Sequence, residues 1–456
     1  MAAVIAGAKG AGPKALLIGL DGVPYTLIQA YIEKGVLPNI AKILSKGFAL
    51  KQMDASVPDV SSTSWASFFT GVNPAEHGIF GFMGLKKGTY SLIFPTYEDI
   101  KAPSIWEILG RRESSLRSTL SDEYSARAGG PFRSIVLNIP QTYPARAMNG
   151  LLTAGFVCPD FKKGTYPPSL YEYLTKAGYM PDIDSNKAAS DKDGFFRDLF
   201  TSLDRREEAY LHLFDNELWD LFAGVFTETD RMHHFFFDAA YDEAHPFHER
   251  FIECYRKIDS IIGAMYSRFQ EMTGGRGLFM TMSDHGFTVI KKEVYLNAWL
   301  KKNGFLKLDA AREFFDQIGA GTKAFCMDPS RIYINSEGKY PRGSVSDGEK
   351  KAVAAELAGM LKAMTDAEGK SVIKTVYGKE EIYSGSLFDE APDIVCLAND
   401  GFDLKGNLKK EEVFGTSHFR GMHTRYDAHC ILPEASTDAD RLHIEGLGRI
   451  ILNNFI

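Results

Sequence analysis

Residues 15–22 read ALLIGLDG. The first six are apolar or small without interruption, and they do not alternate with polar residues. That pattern is what a strand buried on both faces requires, and such strands lie in sheets covered by helices on either side. Two segments with helical spacing follow, PYTLIQAYIEKG and LPNIAKILSKG, each stopped by glycine. The strand signature returns in SIVLNI (134–139), WDLFAGVF (219–226), GLFMTM (277–282) and CIL (430–432). Helical patterns occupy 245–269, 295–303, 348–364 and 438–448. This alternation predicts an α/β fold: a mostly parallel central sheet flanked by helices on both faces.

A chain of 456 residues can hold one large core with an insertion. We expect a flexible leader over 1–13, a core formed by 14–299 and 401–456, and a smaller inserted α/β lid over 300–400. The lid carries RIYIN, an Ala/Leu/Lys-rich helix and APDIVC. The polar run RRESSLRSTLSDEYSARAGG (111–130) reads as a surface loop. A net charge of -7 offers no electrostatic basis for binding a nucleic-acid polymer or an anionic membrane. No apolar run is long enough to span a bilayer. The five cysteines stand singly with no CxxC pair, against a disulfide framework and in favour of a reducing compartment. The opening MAAVIAGAKGAGPK has no basic residue ahead of its short apolar run, unlike a signal peptide, so a cytoplasmic location is expected. Its Gly7, Gly10 and Gly12 precede the first strand and lack the Lys-Ser/Thr of a phosphate loop.

Ligands of open α/β sheets collect beyond the carboxyl ends of the strands. Asp21 directly follows 15–20, Asp230 comes shortly after 219–226, and Asp284-His285 follows 277–282. A carboxylate at the end of a buried strand is costly to desolvate unless it is paired, hydrogen-bonded or on a metal. Asp21 alone could equally be a turn residue or a cap. In TETDRMHHFFFD, Asp230 and His234 are four apart and share a face if the segment is helical, where they could grip one divalent cation. The plainer alternative is a capping Asp and a core His, with His233 the rival ligand in a non-helical segment. Phe235, Phe236 and Phe237 read as packing. MTMSDHGF presents Asp284 and His285 ahead of Gly286, read as a turn.

TSHFRGMHTRYDAHCIL holds three histidines. His423 is expected in a loop before the last strand, His429 at that strand's start, and His418 in solvent. In VPDVSSTSWASFFTGVNPAEHG (57–78), four hydroxyl residues, Ser61 to Ser64, stand before a run of aromatics. They read as a helix cap or as a source of a nucleophile. Asn138, at the end of 134–139, could contact substrate or make a turn. Three aspartates and three histidines beside strand ends would suit two divalent ions, and mixed Asp/His ligands suit zinc or manganese.

In order and spacing, LLIGLDG, SSTSWASFFTGVNPAEHGIFGF, FTETDRMHHF, TMSDHGF and GMH resemble the alkaline phosphatase superfamily. The nearest likeness is its type I phosphodiesterase/nucleotide pyrophosphatase branch. The resemblance implies one metal on Asp21, Asp284 and His285, and a second on Asp230, His234 and His423. It implies two divalent ions, zinc expected and manganese the alternative. Counting nine residues back from Thr70-Gly71 lands on Ser61, which the resemblance makes the nucleophile, in contact with the metals. The implied activity is hydrolysis of a small-molecule phosphate ester through a phosphoseryl intermediate, with diesters or nucleotide pyrophosphates preferred.

There are departures. Many members of that branch use Thr as the nucleophile with Asn three residues later, where this chain has Ser61 and Ser64; this loosens the transfer of nucleotide specificity. The 111–130 run is also longer than usual. A sulfatase needs C/S-x-P-x-R, which SSTSW does not supply, and the Ser context of an independent phosphoglycerate mutase is missing. A phosphomonoesterase is the alternative within the superfamily and would need a cation such as Arg231 or a lid lysine for the extra phosphate charge. From a different class, the chain could be a non-catalytic metal-bound binding protein, against which the complete ligand set and Ser61 both count.

Overall fold

Successive residues of a strand face opposite ways, and both faces of 15–20 are covered. Leu16, Ile18 and Leu20 join one apolar cluster, Ala15 and Leu17 another. The computed structural model describes residues 12–111 and 131–455. Most of the expected leader and most of the 111–130 run lie outside the described residues.

In chain order the core elements are β1 (Ala15–Leu20), α1 (Tyr25–Glu33), α2 (Pro38–Leu44), β2 (Phe48–Asp54) and α3 (Ser61–Thr70). They continue with β3 (Ser134–Ile139), β4 (Gly150–Ala154), β5 (Thr165–Tyr166), α4 (Lys192–Asn216), β6 (Leu221–Phe226), α5 (Glu228–Phe236), α6 (His248–Thr273), β7 (Leu278–Met282) and β8 (Gly286–Val289). An inserted unit follows, with β9 (Ala324–Met327), β10 (Arg331–Ile334), α7 (Asp347–Lys362), β11 (Ile373–Gly378) and β12 (Ile394–Ala398). The chain ends with β13 (Gly421–Thr424), β14 (Ala428–Pro433), β15 (Leu442–His443) and α8 (Ile444–Asn453).

Nine strands form the central sheet in the order β15-β2-β14-β7-β1-β6-β3-β4-β5. β7, β1, β6, β3 and β4 run parallel to one another, β5 is antiparallel to β4, β14 is antiparallel to both β2 and β7, and β15 is parallel to β2. The sheet is therefore mixed, with a parallel centre. α1, α2, α4 and α6 contribute to the cluster on one face, and α3 and α8 to the cluster on the other. Each large apolar side chain fully buried in this way is worth roughly 1.5–3 kcal/mol over exposure, which favours the all-apolar β1 at the centre.

The expected 438–448 helix starts later. Leu442 and His443 pair with Met53 and Asp54 as an edge strand, and the helix begins at Ile444.

The inserted unit is a four-stranded sheet in the order β9-β10-β12-β11, antiparallel throughout, and Leu357 and Leu361 of α7 are buried in its core. That core also takes in Val294 and Leu296 before residue 300 and Phe402 and Leu404 after residue 400. The unit grips the chain on both sides of α3. Tyr383 Oη donates to the Val57 carbonyl at 2.8 Å, Asn73 Nδ2 donates to the Ile382 carbonyl at 2.8 Å, and the Leu387 N–H donates to the Ala75 carbonyl at 2.8 Å.

Candidate active site

β7, β1 and β6 are adjacent and parallel, so their carboxyl ends open at one edge. Asp284-His285, Asp21 and Asp230 follow these three strands and arrive together there. Gly19 makes room beneath. A Cβ at this position would lie 2.5 Å from Cη2 of Trp65, so glycine lets the indole pass under β1. Trp65 Nε1 then donates to Asp21 Oδ2 at 3.1 Å, and the Gly22 N–H donates to Asp284 Oδ1 at 3.0 Å.

Residues 228–236 are helical, which puts Asp230 and His234 on one face. His233 turns away: its ring bonds the Gly22 carbonyl at 3.0 Å and Tyr255 Oη at 2.8 Å in the core. Two sequence expectations are corrected here. Gly286 does not make a turn but opens β8, and His423 is not in a loop but on β13, paired with Phe287 of β8. Four-residue strands are too short to announce themselves by alternation. Glycine is needed at 286, where a Cβ would come within 2.6 Å of Thr424 Oγ1. This pairing carries His423 to His285, with ring centroids 3.7 Å apart.

The six side chains gather into two groups, Asp21 with Asp284 and His285, and Asp230 with His234 and His423. Within each group the prospective ligand atoms lie within 4.8 Å of one another. Ser61 adjoins the first group: its Oγ stands 3.4 Å from Asp21 Oδ1 and 3.1 Å from His285 Nε2. It is the first residue of α3, and the N-cap is Val60, so the Ser61 hydroxyl does not cap the helix. His418 rests against Phe419 at the cavity wall, and His429 is buried in β14. Asn138 is also buried, with Nδ2 donating to the Val225 carbonyl and to Thr227 Oγ1. It braces the end of β6.

The electrostatics favour cations in both groups. Burial pushes the Asp21 carboxyl well above its ordinary value, and Asp284 and Asp230 push it further. Burial also raises Asp284. Burial alone would raise Asp230, but His234 and His423 beside it hold it well below its ordinary value. His285 is lowered by burial to about 4. The Nδ1 atoms of His285, His234 and His423 face the carbonyls of Gly286, Gly421 and Asp59 at 3.0, 3.2 and 3.1 Å. Rings held this way turn their Nε2 atoms into the site. The His234 and His423 Nε2 atoms are 3.1 Å apart, an arrangement that calls for a proton or a cation between them. Asp230 Oδ1 and Asp284 Oδ2 are buried and have only long approaches from ring nitrogens, His234 and His423 Nε2 at 3.4 and 3.3 Å from the first and His285 Nε2 at 3.4 Å from the second. Oxygen and imidazole donors fit divalent zinc or manganese.

The sequence model of the type I phosphodiesterase/nucleotide pyrophosphatase family matches residues 15–425. The chain belongs to that family. As a member it is a hydrolase of phosphate esters. Among solved structures it is similar to phosphonoacetate hydrolase from Sinorhizobium meliloti 1021 in complex with phosphonoacetate, with a TM-score of 0.61 at 14% identity, covering 97% of this chain and 96% of that one. It is also similar to an inactive variant of murine ectonucleotide pyrophosphatase/phosphodiesterase 5 in complex with AMP, with a TM-score of 0.53 at 14% identity, covering 97% and 95%. At that identity the likeness establishes the fold. No curated protein matches the chain by sequence. No helix among the described residues is long and apolar enough to cross a membrane.

Several features of the site had no signal in the sequence. Trp65 sits under Asp21 through a glycine gap. Arg231 is held by Asp182 through bonds of 3.0 and 2.7 Å. A cavity of about 790 Å³ opens beside Ser61 and runs between the 82–96 and 156–159 segments.

Proposed function

We propose that the chain hydrolyses phosphodiesters or nucleotide pyrophosphates with two divalent cations, zinc or alternatively manganese, using Ser61 as the nucleophile. Asp21, Asp284 and His285 would hold one ion, and Asp230, His234 and His423 the other. The observation that carries this reading is the Ser61 Oγ, 3.4 Å from Asp21 and 3.1 Å from His285, at the start of a helix it does not cap. When bound, the cations supply charge that favours the serine alkoxide and offsets charge on the attacking and leaving oxygens.

The chain's own groups do the rest. Asp21 orients the Ser61 hydroxyl. The Ser61 and Ser62 N–H groups, which have no main-chain acceptor in the first turn of α3, can donate to a phosphoryl oxygen. A bond forms from Ser61 Oγ to phosphorus as the bond to the leaving oxygen breaks, and the serine proton leaves with the departing group, an alcohol from a diester or a phosphate from a pyrophosphate. Water then cleaves the phosphoseryl group, restoring the hydroxyl and releasing a phosphate monoester.

Diester preference over monoester follows from Arg231. Among the described residues it is the lysine or arginine that lines the cavity beside Ser61, and its guanidinium is held by Asp182 and lies 3.7 Å from Asp230, which leaves it little positive charge for a second phosphate anion. The five scattered cysteines support a reducing, cytoplasmic setting.

A metal-analysed preparation assayed on nitrophenyl phosphate, bis-nitrophenyl phosphate and a nucleotide pyrophosphate tests the reading, alongside Ser61→Ala. Diester turnover that vanishes in the variant is the expected result. Metal content without turnover on any ester would favour a binding protein instead.

A further inference from the structure

A second cavity, of about 780 Å³, lies between the core and the inserted unit, with Asp59, Cys396, Asp403 and Tyr426 among its walls. Phe82, His234, Phe419 and His423 line both this cavity and the one beside Ser61. His234 and His423 belong to the second acidic group. A phosphorus within reach of Ser61 and of that group therefore has a cavity on either side, and the rings of Phe82 and Phe419 flank the way between them.

The two rings are held differently. Phe419 packs on α5, 5.3 Å from the His234 ring and 5.2 Å from Phe235. Phe82 is half-buried, and its ring meets Phe156 at 5.7 Å. Its main chain is gripped from the inserted unit. Arg331 of β10 is 1% exposed and donates from Nη2 to the Met83 carbonyl at 2.8 Å. A Cβ on Gly81 would lie 2.7 Å from Arg331 Cζ and 2.9 and 3.0 Å from Nη2 and Nη1, so the guanidinium presents its face to a position that only glycine fits. Phe80, the residue before, packs on Tyr383 of the inserted unit at 5.4 Å. The other bonds of Arg331 go to the Asp328 carbonyl and to Tyr333, and among the described residues no carboxylate pairs with it. A buried cation without a carboxylate is costly to keep, and an apolar side chain would fill the strand position without that cost. What the guanidinium adds is a hold on the residues either side of Phe82.

We infer that Phe82 is a specificity-determining residue, limiting the bulk of the phosphorus substituent that extends past His234 and His423 into the second cavity, and that Arg331 is the residue that positions it. The inference rests on the diesterase reading above.

Methyl phenyl phosphate can place its methyl group on the Phe82 side, whereas diphenyl phosphate must place a ring there. Calorimetry measures the binding of both to zinc-loaded Ser61→Ala protein. Adding Phe82→Ala should tighten diphenyl relative to methyl phenyl phosphate by roughly tenfold or more. Arg331→Met should move the preference the same way by a smaller factor, and Arg331→Lys, which keeps a donor for the Met83 carbonyl, should restore part of it. In the Phe82→Ala background Arg331→Met should add nothing, because the residue it acts through is gone. Should Arg331→Met fail to fold, Gly81→Ala displaces the guanidinium instead and should shift the preference in the same direction. Equal effects of Phe82→Ala on both ligands, or an Arg331→Met effect that persists without Phe82, overturns the inference. In parallel, wild-type protein is given nitrophenyl phenyl phosphate. Absence of nitrophenol release would sink the diesterase reading, while the binding comparison would still decide the role of Phe82.

Discussion

His285 and His423 stack with their rings 22° from parallel, although each belongs to a different acidic group. The two groups thus share a wall of imidazole.

The exposure of the groups is unequal. The side chains of Asp230, His234 and His423 are 10%, 24% and 17% exposed, whereas those of Asp21, Asp284 and His285 are exposed by 2% or less. A chelator should therefore remove metal in two phases, the Asp230 group first. Metal analysis during dialysis reads this, and His423→Ala should reduce the content from two ions to one. A single phase with equal loss would contradict the assignment.

Ser61→Ala should lower kcat by on the order of 10³-fold or more, as loss of a nucleophile does. Stability should change by less than about 1 kcal/mol, because the capping position belongs to Val60. Steady-state kinetics and thermal unfolding on one preparation separate the two effects. A variant that unfolds early and keeps its turnover would refute the role.

His77 titrates far from its ordinary range. It is buried, its Nδ1 accepts from the Ile79 N–H at 3.1 Å, its Nε2 meets Ser67 Oγ at 3.0 Å, and burial lowers its pKa to about 3. The folded value lies below the unfolded value of about 6.5, so as pH falls the unfolded chain takes up a proton that the folded chain refuses. The stabilisation is present above about pH 6.5 and is lost as pH falls toward 3, at up to ~1.4 kcal/mol per pH unit. Urea unfolding of wild type and His77→Gln at pH 7.5, 6 and 5 should show the wild type losing more. Parallel curves would exclude the effect.

Arg206 and Glu228 form a fully buried pair at 2.8 Å, and Glu228 is the first residue of α5, which carries Asp230 and His234. Arg206→Met leaves a buried carboxylate without its partner and should cost about 3–5 kcal/mol. The double variant Arg206→Met/Glu228→Leu should recover much of that loss in urea unfolding. No recovery would mean that packing, not charge, accounts for the single-variant loss.

Much of the fold was legible because β1, β3, β6 and β7 are buried on both faces and so read as unbroken apolar runs. The residues after β1, β6 and β7 could be named for the same reason, since a costly carboxylate at a buried strand end stands out. His423 was identified through the resemblance of GMH to its family block, but its setting was not legible. It depends on the β8–β13 pairing, two four-residue strands far apart in the chain. The cavity was not legible at all. Phe94, Phe156 and Phe419 come from three separate segments with no local periodicity, and ordinary core packing would use the same residue type.

The anchoring of the inserted sheet on Val57, Asn73 and Ala75 makes it more than a cover. Those three positions bracket the hydroxyl-bearing helix like a splint. Grafting a different module onto this core would re-aim the Ser61 oxygen as well as reshape the entrance, so a change of preference and a change of rate should arrive together.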